Sequence, residues 1–133
     1  MPRGRRSALW VAESGNTVAG FLLGEAIGMD FHIRELAVAG EAQRQGIGRC
    51  LLEAALAEAR RRGFARATLT TDRTLPWNGP WYRRCGFHEP KTLSVRLTTQ
   101  LASEIRPERR CALVCELTRA GAPGTDNGPI TRE

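Results

Sequence analysis

The sequence predicts an α+β domain in which an antiparallel meander of three strands leads into a β-α-β unit. Three observations predict it. Two β-rich runs flank the dipeptide Gly15-Asn16, and two such residues between strands are a hairpin signal. From Ile47 onward the apolar residues fall into a helical stripe that stops before Gly63,. A further alternating run follows that helix, and a strand-helix-strand succession places its two strands parallel after a right-handed crossover.

The elements follow in order. Residues 9–14 and 17–25 are the hairpin strands, and a turn at Gly28-Met29-Asp30 leads into a third strand over 31–38. The stripe Ile47, Leu51, Leu52, Ala55, Leu56 and Ala59 predicts a helix over about 46–62. Arg60, Arg61 and Arg62 lie where the helix dipole favours cations, and Gly63 supplies the stop. Residues 65–72 alternate, with Ala65, Ala67, Leu69 and Thr71 on one face. Asn78 can cap a short helix that has Pro80 in its first turn and ends at Gly86. The four-residue spacing of Leu93, Leu97, Leu101 and Ile105 predicts another helix, stopped by Pro107. Arg110 to Leu117 reads as a last strand, with Cys111, Leu113, Cys115 and Leu117 on its buried face.

The 133 residues suit one domain, expected over 9–117 between a basic flexible tail at 1–8 and a disordered tail at 118–133,. Hydrophobic residues at 41% permit a core, and no apolar run approaches the roughly 20 residues of a membrane span. Of the 20 basic residues only Lys91 is not Arg, and the net charge is +6. Three of those charges sit in the first six residues, and the remainder is too modest to argue for nucleic acid. Cys50, Cys85, Cys111 and Cys115 contain no C-x-x-C and no paired spacing to a His. A disulfide framework and a metal site are therefore not expected, and a cytoplasmic location is.

Chemistry concentrates where the third strand meets the long helix, in Gln43-Arg44-Gln45-Gly46-Ile47-Gly48-Arg49. The first N–H groups of a helix have no intrahelical partner, and the dipole adds partial positive charge there. Two glycines at that point let a bulky anion reach the backbone, and a phosphate or pyrophosphate fits, with Arg44 or Arg49 available to assist. The bland alternative is a glycine-eased turn. A dinucleotide fingerprint fails because Leu51 stands where the third glycine belongs, and a P-loop fails because no Gly-Lys-Ser/Thr exists,.

The spacing Gln43-x-x-Gly46-x-Gly48 resembles the Q/R-x-x-G-x-G/A signature of the GNAT family of N-acetyltransferases. The segment Trp77-Asn78-Gly79-Pro80-Trp81-Tyr82-Arg83-Arg84-Cys85-Gly86-Phe87 is similar to that family's W-N-x-P-x-Y-x-x-x-G-F motif. The resemblance covers roughly 9–117. It implies a mixed, mostly antiparallel sheet with a central β-α-β unit and splayed strands, without the family's usual first strand and two helices. It further implies that acetyl-CoA lies in the splay as cosubstrate. Its pyrophosphate would meet the backbone of Gln43, Arg44, Gln45, Gly46, Ile47 and Gly48, its pantetheine arm would pair with Leu36, Ala37 and Val38, and Asn78 would approach it from the other side. The acetyl group would pass directly to an amine of a small molecule or peptide, without a covalent enzyme.

That reaction asks for a base toward the amine and an acid toward the leaving thiolate. Tyr82, the only tyrosine in the chain, matches the family's general acid. Glu35 and His32 are both candidates for the base. Strand alternation puts them on opposite faces, so only one would point into the site, and Glu35 is preferred. Cys85 has no histidine placed to activate it and is read as structural; His88 is given no role. A non-catalytic acetyl-CoA-binding module is the alternative function. Open apolar surface on the first hairpin also points to a homodimer.

Overall fold

A computed structural model describes residues 6–43, 45–76 and 78–117. The chain packs as two compact units, residues 6–67 with Leu117, and Thr68–Glu116.

In the first unit, β1 (Arg6–Ser14), β2 (Thr17–Ile27) and β3 (Asp30–Val38) form the expected antiparallel meander. Gly15 and Gly28, both at positive φ, make the two turns. β1 begins three residues earlier than expected, because Arg6, Ser7 and Ala8 pair with Ala26, Glu25 and Gly24; they belong to the strand rather than to a tail. The predicted tail at 118–133 lies outside the described residues.

Helix α1 (Ile47–Arg61) buries Leu51, Leu52, Ala55, Leu56 and Ala59, five of the six residues of the predicted stripe. Gly20 on β2 sets how closely it packs. A Cβ there would stand 3.3 Å from Leu51 and 3.4 Å from Ile47, so the helix rests on bare strand backbone.

Strand β4 (Arg66–Asp72) leaves this unit after Ala67. Its start lies beside the start of β3: Ala65 donates its N–H to the Met29 carbonyl, and the Arg66 guanidinium forks onto both Asp30 oxygens at 2.9 and 3.3 Å. Leu117 in turn donates its N–H to the Ala65 carbonyl.

The second unit contains the rest of β4, helices α2 (Asn78–Arg84) and α3 (Val95–Ala102), and strand β5 (Arg110–Glu116). The end of β4 meets the start of β5, where Arg73 N–H bonds to the Arg109 carbonyl. Helix α3 is shorter than its leucine spacing predicts. The Ser94 hydroxyl accepts from the Leu97 N–H and so starts the helix after Leu93, while the helix ends at Ala102 with Ser103 as its cap, before Ile105 can join. Leu97 is buried against Ala112 and Val114 with Leu101 beside it, whereas Leu93 and Ile105 are exposed. β5 is buried continuously from Cys111 to Cys115, on both faces rather than on the one expected.

Candidate functional site

The loop between β3 and α1 is built to leave its backbone bare. Ala39–Gly40 turns into a single 3-10 turn over Gly40–Ala42, with Ala42 buried as its anchor. The Gln43 side-chain amide donates to the Val38 carbonyl at 3.2 Å, and Gln45 donates to the Glu41 carbonyl at 3.4 Å. Gly46 then adopts φ 79, a left-handed conformation that L side chains rarely tolerate,. No side chain caps α1, and a Cβ built on Gly46 would meet nothing within 4 Å. Gly48 is half-buried in the first turn. The helix N-terminus therefore has no side-chain cap and opens on space beside Gly46, which suits a phosphate.

Arg44 and Arg49 are the two residues expected to assist. Arg49 forms an ion pair with Glu53 at 3.0 Å along the exposed helix surface, so its charge is already engaged one turn into α1. Arg44 lies outside the described residues.

Leu36, Ala37 and Val38 pair with Leu22, Phe21 and Gly20 on β2. That ladder uses one edge of β3, and all three side chains are half-buried.

The two base candidates require a correction. Leu23 pairs with Glu35, but Gly24 pairs with Ile33, so Arg34 is an extra residue in β3. A bulge of this kind resets strand alternation. Glu25 pairs with His32, and since Leu23 and Glu25 are two apart on β2, their partners Glu35 and His32 share one face,. The environments differ: Glu35 is exposed, while His32 and Glu25 are buried. Arg34 closes over this group, its guanidinium 2.9 Å from the Glu25 carboxylate. The sequence contains no signal for the bulge, and Glu25 and Arg34 were therefore missed as neighbours of the base candidates.

In the second unit, Asn78 and Tyr82 stand one turn apart on α2. Asn78 is the first residue of the helix, and its amide donates to the Thr71 hydroxyl at 2.9 Å. The amide is thus tied to β4 rather than spent as a cap. Tyr82 packs edge-on against Trp81 and Phe87, with ring centroids 5.0 and 5.8 Å away. Burial pushes its phenol pKa up, and the neighbouring Cys85 adds to this while Arg110 opposes it. Burial thus favours the neutral phenol. Cys85 forms no disulfide, and His88 takes a structural place by bridging to Val114 at 2.9 and 2.8 Å through both backbone hydrogen bonds.

Among the described residues no helix is long and apolar enough to cross a membrane, and no cluster of metal-ligating side chains is found.

A meander, a helix with a bare glycine N-terminus and a tyrosine-bearing second helix are the elements of an acetyltransferase-like fold. The family model of the acetyltransferase (GNAT) domain matches residues 5–89, and the chain belongs to that family. Solved structures agree in fold. The ribosomal-protein-S18-alanine N-acetyltransferase of Escherichia coli superposes with a TM-score of 0.69 at 20% identity, over 90% of this chain and 74% of that one. The PaiA N-acetyltransferase of Thermoplasma acidophilum, solved with coenzyme A, gives 0.66 at 17% identity over 83% and 60%. An IAA acetyltransferase of Bacillus cereus gives 0.65 at 25% identity over 84% and 78%. The chain spans 60% of the length of the Thermoplasma protein. As a member of that family, the protein is an acetyltransferase.

Proposed function

We propose that this chain transfers the acetyl group of acetyl-CoA to a primary amine of a small molecule or peptide, by direct attack within a ternary complex. The observation that carries the reading is the uncapped, left-handed Gly46 at the N-terminus of α1. In this reading the backbone of Gln43 to Gly48 holds the pyrophosphate, with Arg44 and Arg49 at its edge, and Leu36 to Val38 hold the pantetheine arm through the edge of β3 that β2 does not use. Asn78, fixed by Thr71, contacts the coenzyme from α2.

Tyr82 gives its phenolic proton to the departing sulfur; its raised pKa keeps that proton available,. Glu35, exposed on β3, takes the ammonium proton through water, with His32 on the same face as a second acceptor. The enzyme acts in the cytoplasm, in keeping with four cysteines that form no disulfide,. It self-associates through the hairpin face on which Leu9 and Val11 stand exposed opposite Leu23 and Phe21,.

Release of free coenzyme A with a panel of amines tests the reaction. Amine-dependent release above the hydrolysis background supports it. Acetyl-CoA binding without release by any amine in the panel supports the non-catalytic module instead. Sedimentation tests the association, and a monomer at high micromolar concentration contradicts it.

A further inference from the structure

The first unit contains a cavity at the other end of α1 from the glycine loop. Its volume is about 780 Å³, within the range of small-molecule sites, roughly 300–1,000 Å³. Glu58, the first helix residue to line it, lies twelve residues beyond Gly46, about 18 Å along the axis.

Strand alternation explains the opening. Arg6, Ala8 and Trp10 stand on one face of β1, and Ala26 opposite Arg6 continues that face on β2. Ala8, Ala26 and Ala59 are too small to fill the space between the strands and the last turn of α1. Phe31 does not fill it either, because its ring lies over Gly24, in the space a Cβ would need. Trp10 stands edge-on to Phe31 at 5.7 Å, and Phe64 is tilted against Phe31 at 5.9 Å. The cavity is thus lined by three aromatic rings over a floor of small residues.

Its charge is one-sided. Both oxygens of Glu58 are engaged, one by Arg61 and the other by Arg62, so this carboxylate is not open to a cation. Arg6 lines the cavity and forms no ion pair among the described residues. At the helix end the Glu58, Ala59 and Arg60 carbonyls are already engaged, accepting from the N–H groups of Arg62, Phe64 and Gly63.

We propose that this cavity is a binding site for an aromatic carboxylate, its ring against Trp10 and Phe64 and its carboxylate on Arg6. The site is separate from the coenzyme loop and does not depend on the acetyl-transfer reading.

Calorimetric titration of the full chain with 2-naphthoate and with its neutral isostere 2-naphthamide tests the proposal. A charge-assisted pair of this kind is worth about tenfold in affinity. Naphthoate should bind about tenfold tighter than naphthamide, and Arg6→Gln should erase that difference while a cooperative melt is retained. Ala26→Phe should fill the floor and abolish binding of both, and acetyl-CoA should not displace either. Equal affinity for the two probes in the wild type, a naphthoate preference that persists in Arg6→Gln, or displacement by acetyl-CoA overturns the proposal. So does the absence of binding at millimolar naphthoate.

Discussion

The two ends of α1 have opposite designs. At the C-terminus every local device for closing a helix is in use. Gly63 adopts φ 86, the Arg62, Gly63 and Phe64 N–H groups turn back onto carbonyls of the last turn at 3.0, 3.0 and 3.1 Å, and Arg60 and Arg61 complement the dipole,. At the N-terminus the cap residue is a glycine without a side chain, no acidic residue stands in the first turn, and no side-chain bond is made. A helix optimised for stability would carry Ser, Asp or Asn there, a gain of about 0.5–2 kcal/mol over an uncapped end. The contrast sets a closed end against an open one, and the open end is the one proposed to take the coenzyme pyrophosphate.

The largest expected effect falls on the open end. Gly46→Glu places a side chain and a negative charge where the pyrophosphate is proposed to sit. A ligand at about 100 times its Kd stabilises the native state by about 2.7 kcal/mol, and this variant should lose that stabilisation in a thermal-shift assay with acetyl-CoA. The matched change at the closed end, Gly63→Ala, should lower stability by about 1–2 kcal/mol through the strain of a left-handed alanine and leave the acetyl-CoA shift intact. If both substitutions abolish the shift, the contrast between the ends has no functional meaning.

The next effect is about a hundredfold. Tyr82→Phe removes one oxygen and keeps the ring packing on Trp81 and Phe87, so coenzyme affinity should survive while turnover falls by about 10², the lower end for general acid catalysis. Unchanged turnover in the folded variant would leave Tyr82 a packing residue.

Tyr82 also predicts an alkaline dependence. Its folded pKa lies above the ordinary phenol value because burial favours the neutral form. The stability this contributes is fully present below about pH 10 and is lost as pH rises through the folded value. Wild-type melting temperature should therefore fall more steeply than that of Tyr82→Phe above pH 10, and parallel curves would contradict the burial of the phenol.

The smallest effect belongs to the closed end. Hydrogen bonds from Arg62 and then Arg61 hold the Glu58 carboxyl below its usual pKa. Its contribution is present above the unfolded carboxylate value and fades as pH falls through the folded one. The melting-temperature difference between wild type and Glu58→Gln should accordingly shrink from pH 6 to pH 3, and a constant difference would show that the ion pairs contribute nothing.

The sequence revealed these regions unequally, for physical reasons. Helix α1, its glycine entry and its stop were legible because periodicity, capping and φ preference are properties of neighbouring residues. The bulge at Arg34 was not, because an extra residue in β3 is defined only against Leu23 and Gly24 on β2. That one residue reversed the expected relation of His32 to Glu35. The double-sided burial of β5 was hidden for a similar reason, since Cys111 to Cys115 are apolar at both alternations and only packing shows that both faces are covered. The shortening of α3 was partly legible: Ser94 is a cap residue, but the leucine spacing outweighed it.

The most direct measurement is the change in backbone amide resonances when coenzyme A is added. The account predicts the largest shifts at Gln45, Gly46, Ile47, Gly48 and Arg49, and small ones at Arg61, Arg62, Gly63 and Phe64. Shifts concentrated at the C-terminal end of α1, with the Gly46–Gly48 amides unmoved, would contradict it.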